Sequence, residues 1–153
     1  MANTKMIGEI SEAIVIAEFL KSGIPVLLPF GDNQRYDMVV EVDGRFLRVQ
    51  CKTARALRGG AVLCFKTKST NRTRPITSRS YRNQADLFAA YSPYTKQVYV
   101  LPVEEAGEAE VWLRLTPAKN GQVSRVRHAE EHTLAAWAGA AVNVPTSTDP
   151  RAV

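Results

Sequence analysis

The segment DMVVEVDGRFLRVQCKT, Asp37 to Thr53, decides how this chain folds. Apolar and polar residues alternate on both sides of Asp43-Gly44, a pair suited to the two-residue turn of a tight β-hairpin. The pattern predicts strands over Asp37 to Val42 and Arg45 to Thr53. A two-residue loop sets the register, so Val42 faces Arg45, Val40 faces Leu47, and Asp37 faces Gln50. Directly opposed side chains have Cβ atoms about 4.5–5.5 Å apart. Lys52 stands two residues beyond Gln50 and points the same way. Met38, Val40, Leu47, Val49 and Cys51 make the other side, a core face. Asp37, Gln50 and Lys52 are therefore expected together at the open end of the hairpin. A slip of one residue would turn these polar groups into the core, so the apolar pattern protects the cluster.

Upstream, residues 7–22 read as a helix. Ile10, Ala13, Ile14, Ala17 and Leu20 follow a 3.6-residue period, Ile16 and Phe19 widen the apolar arc, and Gly23 is a natural stop. Pro25 to Pro29 suggests a short strand and Gly31 to Gln34 a turn. Downstream, strands are expected over 61–66, 97–103 and 111–115, and short helices over 84–91 and 130–137. The polar stretch 67–80 reads as an exposed loop. We expect one domain over residues 1–138 and a loose tail over 139–153. Helix, strands, then mixed elements fit an α/β or α+β arrangement with helices covering a central sheet.

The charge is unevenly placed. Between Arg45 and Arg82 lie eleven Lys or Arg residues and no Asp or Glu, whereas the rest carries nine basic and fifteen acidic residues. A strongly basic segment on an acidic body suits a polyanion, most often nucleic acid. No run of 18 apolar residues suggests a membrane span and no signal-peptide layout opens the chain, so the cytoplasm is the expected compartment. Cys51 and Cys64, without nearby histidines, read as two buried thiols.

A carboxylate and an amide carbonyl are hard oxygen donors suited to Mg²⁺. A lysine beside them can stabilise charge developing on a phosphodiester. A second carboxylate comes from the helix, where Glu9 and Glu12 both fall on the apolar arc. A carboxylate at a helix–sheet junction is costly unless paired or metal-bound.

The order Gly8-x-x-x-Glu12, then Asp37, then Gln50-x-Lys52 resembles the PD-(D/E)XK nuclease superfamily. The Gly-x-x-x-Glu spacing and the gap to the aspartate also resemble archaeal Holliday junction resolvases. The runs Pro29 to Asp37 and Val49 to Thr53 are closer to a bacterial branch holding an intron-encoded homing endonuclease and its stand-alone relatives. The likeness continues through Tyr81, Asp86 to Ala89, Tyr99 to Val103 and Pro117 to Asn120, covering about residues 6–135. It implies a restriction-endonuclease-like α/β fold, a central mixed β-sheet flanked by helices. It implies Mg²⁺-dependent hydrolysis of DNA phosphodiesters, with Mn²⁺ able to substitute. Carried over by position, Glu12, Asp37 and Gln50 would hold metal and Lys52 would be the catalytic lysine. The Gly8 spacing favours Glu12 over Glu9. Two departures stand out: Tyr36 precedes Asp37 where proline is common, and Gln50 is neutral where an acid is usual.

The basic segment then supplies DNA contacts: Arg55, Arg58, Lys66, Lys68, Arg72, Arg74, Arg79 and Arg82, positioning phosphates and carrying little sequence information. Tyr81 and Tyr91 are read as packing residues. The leading expectation is an endonuclease acting on duplex DNA. Since one site cuts one strand, a homo-oligomer, dimer or tetramer, is the expected partner. The alternatives are a junction resolvase and a DNA-binding protein whose neutral Gln50 has cost it catalysis.

Overall fold

The computed structural model describes residues 3–71, 77–118, 120–121 and 126–142. Helix α1 (Thr4–Lys21) opens it, capped by Asn3, whose side chain accepts the Lys5 N–H at 3.0 Å. It ends where expected, Gly23 taking φ 75°. The buried stripe differs from the predicted one. Ser11, Val15 and Phe19 face inward, while Ile10 and Leu20 are more than half exposed. The helix is apolar nearly all round, so periodicity alone left its rotation undecided.

Strands β1 (Val26–Leu27), β2 (Met38–Val42) and β3 (Arg45–Thr53) form an antiparallel set. Asp43 and Gly44 take φ 52° and 73°, the doubly left-handed turn expected of this pair. The register is the predicted one: Val42 opposite Arg45, Val40 opposite Leu47, Met38 opposite Val49. Asp37 stands just outside β2, yet its N–H donates to Val49 O at 2.9 Å, which carries the pairing up to the site.

The chain then builds a second sheet from β4 (Arg55–Leu57), β5 (Val62–Lys66) and, later, β10 (Glu110–Arg114), in the order β10-β5-β4. Residues 68–80 were expected as a loop. They instead include β6 (Lys68–Asn71) and β7 (Thr77–Ser80), an antiparallel ribbon. Its threonines and serines suit a pleated strand as readily as a loop, and pairing settles the matter. The helix expected over 84–91 is also replaced. A turn closed by Gln84 and Ala85 N–H groups on Tyr81 O leads into β8 (Leu87–Ser92), which pairs parallel to β3. Leu87 to Ala90 are buried on both faces, so no alternation marks them as a strand.

Strand β9 (Gln97–Pro102) completes a five-stranded mixed sheet, β1-β2-β3-β8-β9. Its two faces bury different cores. Val49, Leu87, Ala89, Val98 and Val100 meet Val15 and Phe19 of α1 and Leu134 and Trp137 of α2 (Leu134–Val142). Phe88, Ala90, Tyr99 and Leu101 meet Leu63, Phe65, Val111 and Leu113 of the second sheet. The fold is thus the expected restriction-endonuclease-like α/β class, a central mixed sheet flanked by helices. What was not foreseen is that both helices cover one face and a sheet covers the other. Helix α2 runs to Val142, past Gly139, and the expected tail beyond it lies outside the described residues.

Candidate active site

Three elements converge on the predicted cluster. Glu12 comes from α1, half-buried where the helix crosses the sheet. Asp37 sits at the entrance of β2, and Gln50 and Lys52 lie on β3. Asp37 is fixed by the strand pairing: its Oδ2 accepts the Cys51 N–H at 2.7 Å. That backbone donor partly offsets the burial that raises the Asp37 carboxyl above its usual range. Glu12 is raised as well, by burial first, then by Asp37, then by Glu9. Two carboxylates, the charge of Asp37 disfavouring that of Glu12, share one small region. They also share a cleft of about 220 Å³ with Pro29, Gly31, Asp32, Gln34 and Tyr36. Glu9 does not join them; it is exposed and lies 3.9 Å from Lys5.

Lys52 lies on the same face of β3 as Gln50, turned toward the second sheet, and its Nζ lies 4.5 Å from the centre of the Tyr81 ring and 5.8 Å from that of Phe88. Loss of hydration pushes its ammonium down, Asp37 pushes it partly back, and Arg35 lowers it again, to about 8. The Cys51 thiol between these groups is pushed up by burial and so is unreactive, and both Cys51 and Cys64 are free cysteines. Gln50 stands on β3 between Val49 and Cys51, the two residues whose backbone bonds Asp37, and its Nε2 lies 3.4 Å from Cys51 O, which leaves Oε1 as its acceptor.

The donor set suits one kind of cation. It is all oxygen: the Glu12 and Asp37 carboxylates and the Gln50 amide. Among the described residues no three His, Cys, Asp or Glu side chains form a cluster able to hold a metal. Two carboxylates and an amide therefore fit a hard ion that keeps several of its waters, as Mg²⁺ does, and not one that requires a full protein cage.

The predicted DNA contacts divide. Lys68 and Arg82 line a second cleft, about 230 Å³, together with Tyr81, which links them to Lys52. Arg55 instead pairs with Glu110 at 3.3 Å, and Arg58 stacks 4.9 Å over Trp112, so both engage β10. Lys66 is exposed at the end of β5. Arg72 and Arg74 lie outside the described residues, and of Arg79 only the backbone, on β7, is described.

Two participants escaped sequence reasoning. Tyr81 was read as packing; it is buried, edge-on to Phe88, and also carries two cations on its ring, Lys52 and Arg35. Arg35, two residues before Asp37, was not singled out at all. A further omission is the pair Arg48–Asp86. Asp86 accepts the Arg48 backbone N–H at 2.7 Å and guanidinium bonds of 3.1 Å at each carboxylate oxygen, pinning β8 against β3.

A half-buried lysine on β3, a carboxylate at the entrance of β2 and a second carboxylate on α1 thus meet at one end of the mixed sheet. The sequence profile of the PD-(D/E)XK endonuclease family matches residues 2–135, and the chain belongs to that family. Among solved structures it is similar to a bacterial homing endonuclease, I-Ssp6803I, at 30% identity and a TM-score of 0.69, over 92% of this chain and 97% of that one. No curated protein matches the chain significantly. No described helix is long and apolar enough to cross a membrane.

Proposed function

We infer that this nuclease is a Mg²⁺-dependent endonuclease that hydrolyses phosphodiester bonds of duplex DNA, in the manner of a homing endonuclease. The observation that carries this reading is the pair Glu12 and Asp37 at one cleft, with Lys52 near enough for its charge and that of Asp37 to act on each other. Two carboxylates raised by burial, Glu12 also by Asp37, are a poor arrangement without a cation and a good one with it. A divalent ion bound there would neutralise charge on the phosphodiester and acidify a water. Gln50 would offer its amide oxygen to the same ion. The amide adds no charge, so the site is one charge short of a three-acid set. Lys52 presents an ammonium toward developing phosphate charge, and its partial desolvation strengthens that interaction.

Lys68 and Arg82, beside Tyr81, extend the basic surface away from the reacting atoms, where they position the duplex. The similarity to a homing endonuclease supports duplex DNA as substrate. Cutting both strands requires two such sites, which favours a homo-oligomer. Met6, Ile10 and Leu20, each more than half exposed on α1, form the apolar stripe that a second copy would cover.

The test is cleavage of supercoiled plasmid by purified protein. Mg²⁺ should yield nicked or linear product, EDTA should stop it, and Lys52→Ala should abolish it without unfolding the protein. Undiminished cleavage by Lys52→Ala would sink the assignment. Salt-dependent DNA binding with no product at any Mg²⁺ or Mn²⁺ level would leave a binding protein instead.

A further inference from the structure

The geometry points to Arg35 as a phosphate-binding residue of the active site, held in place by Tyr81 as a positioning residue. This rests on the nuclease reading above and adds to it a residue outside the Glu12, Asp37, Gln50 and Lys52 set. The Arg35 guanidinium carbon lies 4.4 Å from the centre of the Tyr81 ring, the same ring that Lys52 Nζ approaches at 4.5 Å. Arg35 also donates to Ser80 O at 3.0 Å, at the end of β7 where the chain turns into Tyr81. One ring and one backbone carbonyl therefore hold the guanidinium plane beside the ammonium.

Placing a second cation here is unfavourable in the free protein. Arg35 opposes the charge on Lys52, and two like charges around one partly buried ring repel. The arrangement becomes favourable when an anion enters. A phosphodiester suits it, because a guanidinium fork can donate two parallel bonds to its non-bridging oxygens while its plane stacks on an aromatic ring. Lysine would not serve equally, since its point charge has no plane to stack. Arg35 stands two residues before Asp37, so the bound phosphate lies at the reacting centre and not on the distant basic surface. Tyr81 contributes its ring face, which both cations approach.

The experiment measures binding of a short DNA duplex in EDTA against salt, and Mg²⁺-dependent plasmid cleavage, for wild type, Arg35→Ala, Arg35→Gln, Tyr81→Phe and Tyr81→Leu. Thermal melting confirms that each variant is folded, and Arg35→Gln keeps a donor for Ser80 O should Arg35→Ala unfold. Losing one phosphate contact should reduce the slope of log affinity against log salt by about 0.9. We expect both Arg35 variants to show that reduction, about tenfold weaker binding at moderate salt, and at least tenfold slower cleavage. Tyr81→Phe, which keeps the ring face, should keep the wild-type salt slope, and Tyr81→Leu should lose it as Arg35→Ala does. An unchanged salt slope in folded Arg35 variants overturns the inference, since a structural tie to Ser80 alone would alter melting and not the slope. A reduced slope with no wild-type cleavage would sustain Arg35 while sinking the nuclease reading. Wild-type cleavage with an unchanged slope would do the reverse.

Discussion

Replacing Lys52 by methionine should stabilise this protein while destroying its activity. In the fold the Lys52 ammonium is brought from its ordinary 10.5 down to about 8, mainly because burial strips its hydration. At about 1.36 kcal/mol for each tenfold change, that displacement costs the folded state about 3 kcal/mol wherever the lysine is charged in both states. The contacts with Tyr81 and Phe88 return about 1 kcal/mol. Methionine fills nearly the same space, carries no charge, and makes favourable sulfur–ring contacts of its own. Lys52→Met should therefore gain about 2 kcal/mol at pH 7, a rise in melting temperature of about 4–8 °C for a chain of this size. The sign in pH follows from proton binding. Folded Lys52 releases its proton first, so between about pH 8 and 10.5 the unfolded chain holds more protons and wild-type stability rises with pH. The variant lacks that rise, and its advantage should vanish above the ordinary lysine value. Urea denaturation of both proteins in EDTA at pH 7 and near pH 11 measures the gap, other titrating groups cancelling in the difference. A variant no more stable than wild type at pH 7, or a gap that persists at high pH, refutes the account of Lys52 as a group held at a cost to folding.

Asp86→Ala should cost about 2 kcal/mol, because it removes three bonds to Arg48 and leaves that residue's backbone N–H without its acceptor; the side chains' partial exposure holds the figure there. Arg48 holds the Asp86 carboxyl below its usual 3.8, so the bridge's contribution is present above that value and is lost as pH falls through the lowered one. Thermal melts of both proteins at pH 7 and pH 2.5 should show the gap narrowing at acid pH. Gln50→Glu should lower the melting temperature in EDTA, since a third carboxylate joins Glu12 and Asp37, and should enlarge the rise produced by Mg²⁺; an unchanged response to Mg²⁺ would remove Gln50 from the metal site. Ile10→Glu with Leu20→Glu should leave the fold intact and reduce the sedimenting mass toward that of one chain; an unaltered mass would show that this stripe is not the seam between copies.

Much of the site was legible because the hairpin is a local object. Asp43-Gly44 sets a register that holds as far as Met38 and Val49, Asp37 follows beside that pair, and alternation puts Lys52 on the face of Gln50, all within seventeen residues. Composition announced the charge asymmetry in the same local sense, although it did not distinguish Arg55 and Arg58, which engage Glu110 and Trp112, from Lys68 and Arg82 beside Tyr81. The tertiary structure decided everything that depends on distant partners. The rotation of α1 was settled by which side chains fit the sheet, so Val15 and Phe19 went in and Ile10 and Leu20 stayed out. The run Leu87 to Ala90 became a strand because a parallel partner and two apolar layers awaited it, a condition no local pattern encodes. Arg35 and Tyr81 lie 46 residues apart, and only folding brings the guanidinium and Lys52 to one ring. The sequence alone determined a hairpin bearing an acid, an amide and a lysine. The tertiary structure supplied Glu12 at the right place and removed water from Lys52, and burial of charge is a property of the assembled layers, not of any segment.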